Sequence, residues 1–225
     1  MANIFYAIYR AAKRVPGVAL AVNAGLRTAR NIFWSHRPMA QTPDGQLPES
    51  YISFVASEIQ GGDFTLIEVG AGEGRVLRHL ARLFPSAKFI GIDIQKAAVL
   101  SGNAKIAEQG VANVRLLCKS CLDEDVDWNC DYLISRTALI YLNRQEVETF
   151  LGRRLPQVRR KFLLQEIVSL SETTGVSHFF ANPISALAQR ISGGKFTSRM
   201  ELLDYAPWKR DGHWSGANIV LKRMD

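Results

Sequence analysis

The sequence predicts an α/β fold in which strands and helices alternate around a mostly parallel sheet. A short apolar strand at 64–69 leads into three glycines at alternate positions within 70–74, and a helical pattern follows at once. A second apolar strand, 88–94, has an acidic residue, Asp93, at its carboxyl end. Two strand-like segments near the end of the chain flank an Asp-Gly turn, which is typical of an antiparallel hairpin.

Length and composition favour one domain with a modest extension. The 225 residues are 47% hydrophobic, enough for a substantial core. No run of about 20 apolar residues is present, so no membrane-spanning helix is predicted. The three cysteines are an odd number, which favours a reducing, cytoplasmic compartment. Cys118 and Cys121 have metal-like spacing, but no second pair accompanies them, and no metal site is predicted.

The positive charge is concentrated at the N-terminus. Residues 1–43 hold 6 of the 28 basic residues and no acid, so the remainder carries 22 basic against 21 acidic residues. Within that stretch, 1–15 has the spacing of an amphipathic helix. We therefore expect a basic helical extension and linker over 1–48 and the folded domain over 49–225.

The acid at the end of the first strand and the glycines after it form the central motif. Glu68 precedes glycines at every second position, whereas a dinucleotide-binding turn would need a further glycine where Arg75 stands. This spacing resembles motif I of class I S-adenosylmethionine (SAM)-dependent methyltransferases. The resemblance implies that the methionine end of SAM is bound by Glu68, Gly70, Ala71, Gly72 and Gly74.

The ends of the next two strands suggest where the adenosine part of the cofactor would bind. Asp93 follows the glycine turn by about 20 residues, where a carboxylate can accept hydrogen bonds from ribose hydroxyls, and Ile94 could pack on the adenine. After the third strand the family usually has an acid that binds the adenine amino group. Ser120 stands there, followed by Cys121; its hydroxyl can still accept a hydrogen bond.

The resemblance extends from Leu66 to about Leu142 and implies a Rossmann-like, seven-stranded, mostly parallel sheet with a C-terminal antiparallel hairpin and an N-terminal helical extension. Predicted strands are 64–69, 88–94, 114–118, 131–136, 161–167, 202–208 and 214–222, with the hairpin turn at 209–212. Predicted helices are 49–59, one from Arg75, 96–109, one capped by Asn143, and 184–191.

Candidate residues for the methyl-transfer end follow the fourth and fifth strands. Ser135 and Arg136 end the fourth strand and are implied cofactor contacts. Tyr141 either lines the acceptor pocket or packs internally. Glu166 lies near the end of the fifth strand, where open α/β sheets bind ligands, and is either a catalytic acid or a solvated one. His178 could act as a general base or form an ordinary hydrogen bond.

The N-terminal segment has several interpretations. It could cap the cofactor and acceptor cleft, or anchor the protein to a membrane surface through residues 1–34, which would make a cytoplasmic protein peripheral to the membrane. A nucleic-acid contact or an organellar targeting sequence is a further alternative. A secretory signal is not predicted, because charged residues and Pro16 interrupt any apolar region.

The resemblance implies that SAM donates a methyl group and leaves as S-adenosylhomocysteine. The short chain and its N-terminus favour oxygen or nitrogen methylation of a small-molecule or lipid-linked acceptor. An Asn/Asp-Pro-Pro-aromatic motif, typical of amino-methylating DNA and protein enzymes, is absent after the fourth strand. The alternatives are an RNA methyltransferase that uses the basic segment and a SAM-binding scaffold without activity.

Overall fold

The computed structural model describes residues 49–142, 144–169, 183–203 and 214–224. The N-terminal extension, the Asn143 cap, His178 and the turn at 209–212 lie outside these residues. The division of the chain after residue 48 therefore stays a prediction. Within the described ranges, no helix has the length and apolar character required to cross a membrane.

The described residues form helices and strands in alternation. The helices are α1 (Glu49–Glu58), α2 (Arg75–Leu83), α3 (Lys96–Glu108), α4 (Arg144–Arg154) and α5 (Pro183–Ile191), with 3-10 turns at Leu139–Tyr141 and Leu155–Gln157. The strands are β1 (Thr65–Val69), β2 (Lys88–Asp93), β3 (Val114–Cys118), β4 (Cys130–Arg136), β5 (Val158–Ser169), β6 (Phe196–Leu203) and β7 (Trp214–Arg223).

The strands form one seven-stranded sheet in the order β3-β2-β1-β4-β5-β7-β6. Strands β1 to β5 are parallel, and β7 runs antiparallel between β5 and β6. The predicted Rossmann-like class is confirmed. The chain order reverses between β1 and β4, and a ligand of an open α/β sheet binds beyond the carboxyl ends of the strands at such a point.

Two apolar cores cover the two faces of the sheet. On one face, Phe64 makes edge-to-face contacts with Phe84, Phe89 and Tyr132, with ring centroids 5.2–5.8 Å apart, and side chains of α1, α2 and α3 join this core. On the other face, Phe150 of α4 packs among the second core. Because β1 and β4 are covered on both sides, their sequences read as nearly continuous apolar runs.

Two strands begin at least three residues earlier than predicted. Strand β6 begins at Phe196 rather than at Leu202, because its remaining side chains are mostly exposed on an edge strand and give no apolar pattern. Strand β5 begins at Val158, earlier than Lys161. The residues after Val158 are basic and form ion pairs at the amino end of the sheet, so they carry no hydrophobic signal.

Candidate active site

The glycine turn is held in place by the neighbouring strand β2. The amides of Gly70 and Ala71 donate to the Ile92 carbonyl at 2.8 and 3.2 Å, and the Gly72 amide donates to Asp93 Oδ2 at 2.8 Å. Gly70, Gly72 and Gly74 all have positive φ, at 74°, 55° and 68°. Glycine adopts this conformation without the strain that a side chain would introduce.

The surroundings of the three glycines differ in a way that marks the open side of the turn. A Cβ atom on Gly70 would lie 2.4 Å from Ala138 Cβ, and one on Gly74 would lie 2.8 Å from Leu116 Cδ2. A Cβ atom on Gly72 would meet nothing within 4 Å. The turn is therefore wedged between two packed segments and leaves its backbone open to a ligand at Gly72.

Asp93 both supports the turn and keeps acceptor capacity for a ligand. Its Oδ1 accepts from the Gln95 amide at 2.8 Å, while Oδ2 accepts from Gly72. A carboxylate can accept about four hydrogen bonds, so Asp93 keeps acceptor capacity for a hydroxyl donor such as ribose. Burial raises the pKa of Asp93, and the backbone amides pull it down. Ile94 follows at the half-buried end of β2.

Glu68 is a buried carboxylate that lacks a hydrogen-bond donor for one oxygen. The side chain is only 3% exposed, and its Oε2 has no hydrogen-bond partner. Burial raises the pKa of Glu68 to about 8, with the positive charge of Arg136 acting in the opposite direction. Leaving a buried acceptor unsatisfied is costly, so this oxygen is suited to accept a hydrogen bond from a donor group of a ligand.

A second unsatisfied group, Tyr51 of α1, lies close to Glu68 and was missed by the sequence analysis. The ring is fully buried, its hydroxyl has no hydrogen-bond partner, and the Arg136 guanidinium carbon lies 5.9 Å from the ring centroid. Burial raises the pKa of Tyr51, and the charges of Glu68 and Glu166 add to that effect. Helical spacing marked α1 only as an amphipathic helix, so no signal singled out this tyrosine.

A row of hydrogen bonds fixes Arg136 beside these groups. Arg136 Nε donates to Gln165 Oε1 at 3.0 Å, and Gln165 Nε2 donates to Asn218 Oδ1 at 3.1 Å. The row crosses the carboxyl ends of β4 and β5 and reaches β7. Arg136 is thereby held as a positive charge close to the Tyr51 ring and near enough to Glu68 to lower its pKa.

Glu166 anchors the segment that follows β4. It is buried, which excludes the solvated alternative, and its Oε1 accepts from Ser135 Oγ at 3.2 Å and from the Leu139 amide at 3.3 Å. Its Oε2 has no hydrogen-bond partner, and burial raises the pKa of Glu166 to about 8. Thr137 in this segment has a φ of 50°, a strained conformation of the kind that gathers at functional sites.

The predicted adenine contacts lie in a tight turn after β3, next to the end of β2. The Lys119 amide donates to the Asp93 carbonyl at 3.0 Å, the Ser120 amide to Asp123 Oδ2 at 2.8 Å, and the Leu122 amide to Ser120 Oγ at 3.2 Å. The Ser120 hydroxyl keeps its own proton to donate. Cys121, which follows Ser120, is half-buried.

The structure thus gathers most of the predicted site residues at one edge of the sheet. The carboxyl ends of β1, β2, β3 and β4 bring Glu68, the glycine turn, Asp93, Ile94, Ser120, Cys121, Ser135 and Arg136 to that edge. Tyr141 is 40% exposed on the 3-10 turn beyond Glu166. Among the described residues, no cluster of three metal-binding side chains occurs. The individual roles stay predictions.

Comparison with known proteins points to one large family. Residues 66–158 match a family model described as a methyltransferase domain. A tRNA (guanine-N(7)-)-methyltransferase of Geobacillus kaustophilus is 33% identical over 116 residues, which are 51% of this chain and 52% of that protein. The matched region therefore spans about half the length of that relative.

Solved structures extend the likeness to most of the chain at low identity. A geranyl diphosphate C-methyltransferase from Streptomyces coelicolor A3(2) has a TM-score of 0.66 at 13% identity, covering 88% of this chain and 97% of that one. A magnesium protoporphyrin IX methyltransferase from Synechocystis PCC 6803, solved with bound SAM, has a TM-score of 0.62 at 15% identity, covering 87% and 95%. At such identities the likeness concerns the fold.

Proposed function

We propose that the chain, whose residues 66–158 match a methyltransferase domain, is a class I SAM-dependent methyltransferase that transfers a methyl group from SAM to an oxygen or nitrogen of a small-molecule acceptor. The observation that carries the proposal is the open face of the glycine turn at Gly72, beside the unsatisfied Glu68 and the hydrogen-bonding Asp93. SAM offers an ammonium group and a ribose diol, which match these two carboxylates.

The residues of this chain would bind and orient the two substrates. Bound SAM supplies a methyl group already activated by the sulfonium charge. Glu68 would accept hydrogen bonds from the ammonium of SAM, and Asp93 from its ribose hydroxyls. Glu166 holds the segment after β4 through Ser135 and the Leu139 amide, and so shapes the acceptor side. Orientation of this kind supplies much of the rate of a bimolecular transfer.

A small acceptor is supported by the enclosed character of the polar groups near the transfer end. The Tyr51 hydroxyl and Glu166 Oε2 are both buried and unsatisfied. An acceptor group that forms a hydrogen bond with either atom must itself be buried within the protein. In contrast to these unsatisfied groups, the basic residues at the start of β5 form ion pairs with acids of the chain. Arg159 lies 2.8 Å from Asp131, and Lys161 lies 2.9 Å from Glu58.

RNA methylation is the second candidate, because the relative described above is a tRNA (guanine-N(7)-)-methyltransferase and the first 43 residues carry basic residues and no acid. RNA bound through those residues would contact phosphates, so its affinity would fall steeply with salt. A membrane contact or a lipid-linked acceptor would rest on residues 1–34, outside the described part of the chain.

The acceptor class can be decided by methyl transfer from radiolabelled SAM. The full chain would be incubated in parallel with total tRNA and with an RNA-free fraction of small metabolites, and Gly72→Arg would serve as the inactive control. Label in a small molecule supports the proposal. Salt-sensitive label in tRNA supports the second candidate and contradicts the first. SAM binding with no transfer to either pool would identify a scaffold.

A further inference from the structure

We propose that Arg154, stacked on Trp128, is a positioning residue that holds the loop after β3 in the shape that recognises adenine. The inference rests on the proposed function, since it assigns a role to the loop of Ser120 and Cys121. Arg154 is the last residue of α4, which precedes β5 in the chain, whereas the loop follows β3, an edge strand of the sheet. The two regions are therefore joined by side-chain contacts rather than by strand pairing.

The guanidinium of Arg154 binds carbonyl oxygens of this loop. Its Nε and one Nη donate to the Cys121 carbonyl at 3.3 and 3.1 Å, and the same Nη donates to the Asp123 carbonyl at 2.6 Å. Arg154 is 3% exposed, and these hydrogen bonds go to carbonyls rather than to a carboxylate. Burying a charged group in this way is costly unless its hydrogen bonds are satisfied.

Trp128 supports the guanidinium from its flat side. The guanidinium carbon lies 4.2 Å from the Trp128 ring centroid, a favourable cation–π distance. Trp128 Nε1 donates to the same Asp123 carbonyl at 3.3 Å. The ring in turn packs edge-to-face on Phe150 of α4, with centroids 6.4 Å apart. Arg154 therefore has a fixed position and presents its donors to the loop in one orientation.

The consequence for recognition lies in the peptide group between Cys121 and Leu122. Its carbonyl is bound by Arg154, and its amide donates to Ser120 Oγ at 3.2 Å. The peptide is thus held from both ends. Because Ser120 Oγ already accepts this hydrogen bond, its own proton is directed away from the amide. Arg154 therefore sets the direction of the hydroxyl that stands where the family places its adenine-binding acid.

The test compares ligands that differ only in the base. Binding of S-adenosylhomocysteine and of its analogue with hypoxanthine in place of adenine would be measured by calorimetry for the full chain, Arg154→Met, Arg154→Lys and Trp128→Phe. Arg190→Met is the matched control, because Arg190 is an exposed arginine that pairs with Glu148. Hydrogen exchange of residues 119–125 would report the loop directly.

We expect Arg154→Met to weaken S-adenosylhomocysteine about tenfold, the effect of losing charged hydrogen bonds, and to reduce the preference for adenine over hypoxanthine. Arg154→Lys and Trp128→Phe should show intermediate losses with faster exchange in the loop, and Arg190→Met should behave as wild type. A purely structural role would lower the unfolding temperature without changing the base preference.

Two outcomes would overturn the inference, and they differ from failure of the proposed function. A folded Arg154→Met that keeps wild-type affinity and base preference would refute the positioning role. If Arg154→Met does not fold, the other two variants decide. The positioning role would be refuted if Arg154→Lys and Trp128→Phe both kept the wild-type base preference and the wild-type hydrogen exchange in the loop. Failure of the wild-type chain to bind S-adenosylhomocysteine would instead refute the proposed function, and the inference with it.

Discussion

At the scale of single residues, the site is defined by buried polar groups that lack partners. Glu68 and Glu166 each have one oxygen without a donor, and both have a pKa raised by burial to about 8. Sequence reasoning found both acids from their positions on β1 and β5. It could not find Tyr51, because its closeness to Arg136 depends on how α1 packs on the sheet.

The pKa of Glu68 predicts how SAM affinity depends on pH. To pair with the ammonium of SAM, Glu68 must lose the proton that it holds below about pH 8. Affinity should therefore rise between pH 6 and 7.5, a range that stays below the titration of an α-amino group near 8. In Glu68→Gln, affinity should fall by about 1–3 kcal/mol and its pH dependence should flatten.

Titration calorimetry at several pH values checks this prediction. Glu108→Gln is the control, because Glu108 is an exposed acid at the end of α3. An unchanged affinity and pH profile in Glu68→Gln would show that this carboxylate does not contact the cofactor.

The raised pKa of Glu166 predicts that the stability of the fold, rather than cofactor binding, depends on pH. Its folded pKa lies above the unfolded value of about 4.3, so the folded state retains a proton that the unfolded state releases. Its contribution to stability is complete below the unfolded pKa and is lost as pH rises toward 8. Glu166→Gln should therefore flatten the decline of the unfolding temperature between pH 5 and 8. An identical decline in wild type and variant would contradict this.

At the scale of elements, the interior strands were predictable, whereas the start of the edge strand β6 was not. Strands β1, β2 and β4 are almost wholly buried between the two cores, so their apolar runs stand out in the sequence. Strand β6 is set by backbone pairing with β7, and its exposed side chains carry no pattern. The sequence likewise gave no sign of the hydrogen bond from the Leu139 amide to Glu166, because this bond joins distant parts of the chain.

The contact of the glycine turn with the segment after β4 gives a test of element packing. Gly70→Ala and Gly110→Ala both place a side chain at positive φ, but only the first puts its Cβ atom against Ala138. Gly110→Ala should lose about 1–2 kcal/mol of unfolding free energy from strain, and Gly70→Ala roughly 1–3 kcal/mol more from the clash. Urea unfolding measures both, and equal losses would show that the turn does not depend on this contact.

At the scale of the whole molecule, the sheet order follows from the alternation of strands and helices and from the resemblance of one motif to its family. Open α/β sheets bind ligands at the carboxyl ends of their strands, which is where the gathered residues lie. The acceptor could not be read in this way. The order of the strands does not determine which side chains line the transfer end of the site.

The most direct test of the central claim is calorimetric titration of the purified chain with SAM and with S-adenosylhomocysteine, alongside Gly72→Arg. The open space at Gly72 predicts that a side chain there would occupy the ligand position. We expect roughly micromolar binding of both ligands to the wild type, about −8 kcal/mol, and none to the variant. Absence of binding to the wild type, or equal binding to Gly72→Arg, would contradict the assignment of this turn as the cofactor site.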